Sequence, residues 1–216
     1  MIVKIYPDRP NEKSLQQAVE LLRKGGLVAY PTDSVYAVGC AMTLPKAIAR
    51  LARFKNCSVE DASFSVICAD IAMASHLIKP MSQELFRFLK QHTPGPYTFI
   101  LPYSSGLPSV LRDKRKTVGI RIPLHPVLRV LIASLGSPLV TTSLHGNNPD
   151  SAYETDSAYE TDPEYETDPE LIHEKYGSQI DLVVDGGLGM SIPSTVVDCS
   201  GDGPLVIREG LGQIEW

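Results

Sequence analysis

Short apolar runs, each the length of a strand and each followed by a helical or turn pattern, limit the fold of this chain more than any other feature. Residues 27–30 are typical: the run follows two glycines and ends at Pro31. Between such runs, apolar residues recur at helical spacing, as in residues 14–24, for which Ser14 is the predicted N-cap. Strands interleaved with helices indicate an α/β sheet with crossover connections. We therefore predict an α/β fold with a twisted, open sheet of mixed strand direction.

The same patterns predict the other elements. Further strands are expected near residues 64–68, 98–101, 118–122, 139–142, 182–184, 195–197 and 205–207. Helices are expected around residues 48–52, 71–77, 85–89, 127–135 and 169–176. No linker interrupts the series strongly enough to divide it. We therefore predict a single domain over residues 1–216.

The composition excludes several classes of protein. The chain has 216 residues, and no apolar run approaches the ~18 to 20 residues of a membrane helix, so we expect no membrane partner. The four cysteines are widely spaced and form no CxxC pair. That spacing favours free thiols in a reducing cytoplasm and gives no support for a metal site made by protein side chains. We therefore expect a cytoplasmic location.

Acidic residues are concentrated in one segment. Residues 151–170 hold eight of the 25 carboxylates and no Lys or Arg, so the rest of the chain has 20 basic and 17 acidic residues. Residues 151–168 consist of the copies SAYETD, SAYETD and PEYETD, which have no apolar face to stack. We predict an acidic surface loop at 151–168, ending with Asp168 as the N-cap of a helix. An acidic lid over a site is the alternative.

Polar clusters follow several predicted strands, where α/β proteins usually bind ligands. Thr32, Asp33 and Ser34 come directly after residues 27–30, and they suit either an anion or a capped turn. In the strand around residues 117–121, Thr117 and Arg121 point the same way. Gly119 between them leaves room for a ligand, and an arginine can grip a carboxylate or phosphate with two hydrogen bonds. An edge strand guarded by charge is the alternative.

The sequence gives weaker indications of other anion-binding residues and lacks the common catalytic motifs. Hydroxyls at 141–143 and 194–195 and the late Arg208 also suit anions, although caps and ion pairs explain them too. The chain has no GxxxxGK[ST], GxGxxG, GxSxG or HExxH motif, and its five histidines lack metal-ligand spacing. The residues alone therefore indicate an anion-binding α/β protein without a visible nucleophile or metal cage.

Taken in order, these motifs resemble one family. They are residues 24–39 (KGGLVAYPTDSVYAVG), 94–101 (PGPYTFIL), 118–123 (VGIRIP) with His125-Pro126, Thr142-Ser143, 194–198 (STVVD) and 208–210 (REG). The set is similar to the YrdC-like family over about residues 10–212. The resemblance implies a twisted α/β sheet with a large, concave, basic face. It also implies L-threonylcarbamoyladenylate synthase activity, in which L-threonine, bicarbonate and ATP react, pyrophosphate leaves, and the product serves threonylcarbamoyl modification of tRNA adenosine.

The resemblance also implies roles for residues. Ser34 and Ser194 would lie near the threonine, and Arg121 would hold its carboxylate. The nucleotide and its phosphates would lie along four further residues, with Mg²⁺ accompanying the ATP. These four are Lys55, Thr117, Ser143 and Arg208. Such a reaction needs positioning and charge neutralisation rather than a protein nucleophile.

Two departures separate this chain from the synthases. Lys55-Asn56-Cys57 lacks the arginine of their Lys-x-Arg motif, and Ser143-Leu144-His145 lacks the asparagine of their Ser-x-Asn motif. A thiol cannot replace an arginine that clamps phosphates, because both charge and donors are lost. The departures, together with TPGPYTFIL and KRKTVGIRIP, resemble the YciO branch of the family.

Two other functions remain open. The chain could bind double-stranded RNA or tRNA on the same fold without synthase activity, through Lys114, Arg115 and Lys116. A body with only three more basic than acidic residues is weak support for an RNA-binding protein. A metabolite-binding relative with a different carboxylate ligand is the third possibility.

Overall fold

The computed structural model describes residues 1–6, 10–145 and 165–215, and the strands within these ranges form one ten-stranded sheet. The strands are β1 (Ile2–Lys4), β2 (Val28–Tyr30), β3 (Ala37–Ala41), β4 (Ser65–Ile67), β5 (Tyr97–Pro102), β6 (Thr117–Arg121), β7 (Leu139–Ser143), β8 (Leu182–Asp185), β9 (Thr195–Asp198) and β10 (Leu205–Arg208). The helices are α1 (Glu12–Arg23), α2 (Pro45–Phe54), α3 (Ile71–Ser75), α4 (Gln83–His92), α5 (Pro126–Leu135) and α6 (Pro169–Tyr176), with a 3-10 turn at Ser109–Leu111.

Strand direction in this sheet is mixed, as predicted. The order is β1-β8-β2-β3-β7-β4-β6-β5-β9-β10. The pairs β1–β8, β2–β8, β4–β6 and β5–β9 are parallel, and the other five pairs are antiparallel. The predicted α/β class with a twisted, open, mixed sheet is confirmed. The prediction of a single domain over residues 1–216 stays a prediction.

Apolar side chains are buried on both faces of the sheet. Along β2, Val28 and Tyr30 pack into one core with the apolar faces of α1 and α5, whereas Ala29 packs into a second core with α2. Because neighbouring residues of a strand point to opposite faces, a three-residue strand supports both cores. The nearly continuous apolar run at residues 27–30 reflects this burial on both faces.

Two sequence predictions were wrong. Helix α1 begins at Glu12 rather than after Ser14, because the Asn11 Oδ1 accepts hydrogen bonds from the backbone N–H groups of Lys13 and Ser14. The apolar spacing starts only at Leu15, so it could not reveal a first turn made of exposed polar residues. The edge-strand alternative for residues 117–121 was also wrong, since β6 lies between β4 and β5.

Strands β1 and β3 were missed. Residues 37–41 read AVGCA and are all buried, so they show no alternation, and Val38 is the one β-branched residue among them. Gly39 is required there, because a Cβ at this position would lie 2.7 Å from the backbone oxygen of Val140 on β7. The strand therefore depends on close approach of its neighbours rather than on local propensity.

The acidic segment lies mostly outside the described residues, which resume at Tyr165. Tyr165 forms an antiparallel bridge with His145, and Asp168 Oδ1 accepts a hydrogen bond from the Glu170 backbone N–H at the start of α6. The predicted N-cap at Asp168 is confirmed. In the described part of the chain, no helix is long and apolar enough to span a bilayer.

Candidate substrate-binding cavity

A cavity of about 380 Å³ opens on the sheet where β4, β5, β6, β7 and β9 run side by side. Its floor is made of short side chains around Gly119, which lies close to Ser65 and Thr98 on the neighbouring strands. A Cβ at Gly119 would lie 3.2 Å from Ser65 Oγ and 3.3 Å from Thr98 Cγ2. The absence of a side chain at Gly119 therefore leaves space above the strand, as the sequence predicts for a strand that a ligand approaches.

Arg121 is the buried cation of this cavity. Its Nη2 donates hydrogen bonds to Ser34 Oγ at 2.9 Å, Asp33 Oδ1 at 3.2 Å and Thr32 Oγ1 at 3.4 Å. The side chain is only 5% exposed, and burial lowers the pKa of Arg121 while the Asp33 carboxylate opposes that shift. Its Nε has no hydrogen-bond partner among the described residues. The protein thus fixes the guanidinium through Nη2, and Nε is a buried donor that no described residue satisfies.

The turn after β2 holds the three acceptors of Arg121 in place. Thr32 Oγ1 donates to the Val35 backbone oxygen at 2.7 Å and accepts from the Ser34 backbone N–H at 3.0 Å. Asp33 Oδ2 accepts from the Leu124 backbone N–H at 2.7 Å. Ser34 is fully buried and does not line the cavity, so it acts on the cavity by orienting Arg121.

Ser194 lines the cavity at the start of β9. Its Oγ lies 2.9 Å from Thr98 Oγ1, and its backbone oxygen accepts a hydrogen bond of 2.7 Å from Arg208 Nη2. The residue that follows, Thr195, donates to the Gly212 backbone oxygen at 2.6 Å. The chain after β10 therefore fixes the segment that carries Ser194.

The four residues expected along a nucleotide all line the cavity: Lys55, Thr117, Ser143 and Arg208. Within the described ranges, Lys55 and Arg208 have no carboxylate within 4.0 Å. Arg208 donates instead to the Ser194 backbone oxygen. Two further lining cations also have protein partners: Arg112 donates to the backbone oxygens of Leu107 and Ser105, and Arg115 pairs with Asp113 at 2.8 Å.

The lining is cationic overall. Five lining side chains carry Lys or Arg charges, against the carboxylates of Glu60 and Asp113. Such an excess in a concave surface attracts anionic ligands. The predicted basic concave face is therefore present.

His145 and Tyr165 form an aromatic pair at this cavity. Their ring centroids are 4.9 Å apart, and the His145 backbone oxygen accepts a hydrogen bond from the Tyr176 hydroxyl at 2.6 Å. Burial, then the charges of Lys55 and Arg208, lower the pKa of His145. An imidazole whose pKa lies below its ordinary value is neutral at pH 7.

Sequence reasoning missed part of this lining. Thr98 was seen only as part of a strand, and Tyr165 falls in the last acidic copy, where no local signal marks it. His145 was noted only as a departure from a motif. Their shared position comes from the pairing of β5, β7 and the Tyr165 bridge, which no local pattern reports.

The cations proposed for RNA lie on the turn before β6. Arg115 lines the cavity, while Lys114 and Lys116 are exposed on the same turn and do not line it. Cys57, at the position of the missing arginine, is partly buried, with Sγ 3.7 Å from the Ala52 backbone oxygen, and does not line the cavity. Among the described residues, no three His, Cys, Asp or Glu side chains form a group suited to a metal ion.

The described residues thus form a mixed α/β sheet of ten strands with a cationic cavity over its centre. Residues 20–210 match the Sua5/YciO/YrdC family, which carries the description "Telomere recombination". The chain belongs to this family, and the resemblance drawn from its motifs is confirmed.

Known relatives agree with this assignment. The chain is 37% identical to "Uncharacterized protein YciO" of Escherichia coli over 212 residues, 98% of this chain and 96% of YciO. The crystal structure of E. coli YciO matches with a TM-score of 0.85 over 100% of this chain and 98% of that one. The threonylcarbamoyl-AMP synthase of Chromobacterium violaceum is 36% identical over 137 residues, 63% of this chain and 70% of the synthase.

A third relative has been solved with a ligand. The structure of P. abyssi Sua5 complexed with L-threonine matches with a TM-score of 0.82 and 26% identity. The match covers 97% of this chain and 57% of Sua5. The E. coli and P. abyssi matches show that the fold is the one that the motifs imply.

Proposed function

We propose that this protein performs nucleotidyl transfer of the L-threonylcarbamoyladenylate synthase type, using ATP, L-threonine and bicarbonate. The observation that carries the proposal is the buried Arg121 guanidinium in the lining of a cationic cavity, fixed by Ser34, Asp33 and Thr32, with a buried Nε that no described residue satisfies. A buried charge with a free donor favours a bound carboxylate, because the ligand supplies the missing acceptor.

The amino acid would bind beside β6 and β9. Its carboxylate would accept hydrogen bonds from Arg121, and Ser194 with Thr98 offers hydroxyls that can both donate and accept. Support comes from the matching Sua5 structure, which holds L-threonine. Support also comes from the threonylcarbamoyl-AMP synthases among the relatives.

The nucleotide would lie on the Lys55 and Arg208 side of the cavity, beside Thr117 and Ser143. In the proposed reaction, the threonine amine and bicarbonate give a carbamate with loss of water. A carbamate oxygen then forms a bond to the α-phosphorus of ATP as the bond to pyrophosphate breaks. Lys55 and Arg208 would stabilise the charge that moves onto the leaving pyrophosphate, so the protein acts by position and electrostatics.

Mg²⁺ would enter as a companion of ATP. It prefers phosphate oxygens and water with one or two carboxylates, and Glu60 and Asp113 are the carboxylates lining the cavity. The Asp113 Oδ1 is buried without a hydrogen-bond partner among the described residues, which suits an additional cation or its water. When bound, the ion neutralises phosphate charge.

Pyrophosphate release tests the proposal. The native protein is incubated with ATP, Mg²⁺ and bicarbonate, with and without L-threonine, beside a Cys57→Arg variant that restores the missing basic group near Lys55. Threonine-dependent release by the native protein would support the proposal. Release by neither protein would contradict it, and release by the variant alone would mean that the native protein uses this cavity for another reaction.

A second candidate function is the binding of double-stranded RNA or tRNA. The observation in its favour is the exposed turn with Lys114, Arg115 and Lys116 beside the cavity. Phosphate contacts made by such a turn weaken as salt rises. Salt-dependent tRNA affinity that falls in a Lys114→Ala, Lys116→Ala double variant, without threonine-dependent pyrophosphate release, would favour this function over the first.

The product of the proposed synthase reaction would serve the modification of tRNA. This product is a mixed anhydride, so a partner reaction must transfer the threonylcarbamoyl group to an amine. We propose the tRNA adenosine amine as that acceptor, in the cytoplasm. Incorporation of label from threonine into tRNA by an extract that depends on this protein would test that role.

A further inference from the structure

We propose that Tyr36 is a positioning residue for the amino-acid side of the cavity. It would act by anchoring the connection between β8 and β9, residues 186–194, against the turn that carries Ser34. We call this connection the β8–β9 loop. The inference rests on the proposed function, because it concerns how the loop shapes the site for the amino acid.

The Tyr36 hydroxyl holds one end of the loop. It donates a hydrogen bond of 2.7 Å to the Gly187 backbone oxygen and accepts one of 3.3 Å from the Gly186 backbone N–H. The residue is fully buried, and burial raises the pKa of Tyr36, so the hydroxyl keeps its proton and remains a donor. Both partners lie at the start of the β8–β9 loop.

The Tyr36 ring fixes the middle of the same loop. A Cβ at Gly189 would lie 2.6 Å from Tyr36 Cδ2, so only a glycine lets the loop lie this close to the ring. At this point the Gly189 backbone N–H donates to Thr167, and the Met190 backbone N–H donates to the Ser34 backbone oxygen at 3.2 Å. The ring contact thus places the loop where it bonds to Ser34.

The far end of the loop carries Ser194. Pro193 accepts a backbone hydrogen bond from Leu211, and Ser194 Oγ meets Thr98 in the cavity. One loop therefore connects Ser34, which orients Arg121, with Ser194, which lines the cavity. A displacement of the loop would reach both of these residues.

Few apolar side chains of the β8–β9 loop are buried, so apolar packing contributes little to its position. Its apolar side chains Leu188, Met190 and Ile192 are 78%, 48% and 49% exposed. Segments with few buried apolar contacts depend on their hydrogen bonds and open readily when these are lost. The loop therefore depends on its hydrogen bonds, and the Tyr36 hydroxyl makes two of them.

The test removes the hydroxyl and keeps the ring. Tyr36→Phe retains the apolar core contact, and Tyr103→Phe, which removes a hydroxyl bonded to the Asp113 backbone oxygen, is the matched control. Gly189→Ala pushes the loop from the ring, with Gly203→Ala as control because a Cβ at Gly203 meets nothing within 4 Å. For each protein, the Kd of L-threonine, the Kd of ATP with Mg²⁺ and deuterium uptake over residues 186–192 are measured.

We expect Tyr36→Phe to raise the Kd of L-threonine about fivefold, the effect of one lost hydrogen bond, with the nucleotide Kd unchanged and faster deuterium uptake in the loop. Gly189→Ala should do the same, and neither control should. Unchanged threonine affinity, or equal weakening of both ligands, would overturn the inference. If the native protein does not bind threonine, the proposed function fails and the role of Tyr36 fails with it. Loop uptake in Tyr36→Phe then shows separately whether the anchor itself was assigned correctly.

Discussion

The Arg121 Nη2 lies 2.9 Å from Ser34 Oγ, and this hydrogen bond joins two motifs that are 87 residues apart in the chain. Ser34 belongs to the turn after β2 and Arg121 to the end of β6, two strands separated in the sheet by β3, β7 and β4. The turn therefore reaches across the sheet to hold the guanidinium. Arg121 is fixed before any ligand arrives, so binding would not have to order this long side chain.

Replacement of Arg121 should abolish threonine binding. Arg121→Lys keeps the charge and loses the planar set of donors, so we expect L-threonine to bind at least about tenfold more weakly. Arg121→Ala should bind none that calorimetry can detect. Arg129→Lys, on an exposed part of α5, is the control and should bind as the native protein does. Native affinity in Arg121→Lys would contradict the assigned role.

Loss of the Asp33 charge should destabilise the fold. The Arg121–Asp33 pair is 3.2 Å long, and the two side chains are 5% and 11% exposed. Asp33→Asn leaves a buried guanidinium without its counter-charge, although an amide oxygen can still accept from the Leu124 backbone N–H. We expect unfolding in denaturant to show a loss of about 3 kcal/mol. A loss below about 0.5 kcal/mol would mean that solvent compensates the charge.

Thiol labelling should distinguish Cys57 from the other cysteines. Burial raises the pKa of Cys40, Cys68 and Cys199 to about 12 each, so almost none of these thiols is ionised at pH 8. Cys57 is only partly buried. Brief treatment of the folded protein with iodoacetamide should therefore give one adduct, on Cys57, and peptide mass spectrometry identifies it. Rapid labelling of Cys40 or Cys68 would contradict the burial of the core.

Stability should fall on mild acidification, partly through His145. Its pKa is lowered in the folded protein, so below about pH 6.5 the unfolded chain binds a proton more readily than the folded one, and protonation favours unfolding. The melting temperature of His145→Gln minus that of the native protein should therefore increase as the pH is lowered from 7 to 5.5. His76→Gln, at an exposed histidine, is the control and should show no such trend. A constant difference for His145→Gln would contradict the lowered pKa.

Removal of two acidic repeats should leave the fold intact. His145 and Tyr165 lie opposite each other in an antiparallel bridge, so their Cα atoms are about 5 Å apart and a short connection can join them. Deleting residues 151–162 leaves seven residues for that connection and removes only repeats without an apolar face. We expect a melting temperature within a few degrees of the native value. A large drop would mean that the repeats pack on the body.

Much of the central sheet could be predicted from the sequence, because local patterns such as alternation of side chains mark its strands. Alternation along residues 117–121 placed Thr117, Gly119 and Arg121 on one side, and all three line the cavity. Pro169 after Asp168 marked the start of α6. Such features depend on neighbours in the chain, which the sequence displays directly.

Contacts between residues far apart in the chain could not be predicted from the local sequence. The sequence suggested an anion for Arg121 but not that Ser34 is buried behind it, since this depends on a turn crossing the sheet. Tyr165 reaches the cavity through pairing with His145 over residues of low-complexity sequence. The hold of Tyr36 on the β8–β9 loop joins residues about 150 positions apart. Tertiary packing sets these contacts, and no local propensity encodes them.

The most direct test of the central claim is a calorimetric comparison of L-threonine with L-threoninamide, which lacks the carboxylate charge. If Arg121 binds the carboxylate of an amino acid in this cavity, L-threonine should bind and the amide should bind at least about tenfold more weakly. Equal binding of the two compounds, or binding of neither, would contradict the account.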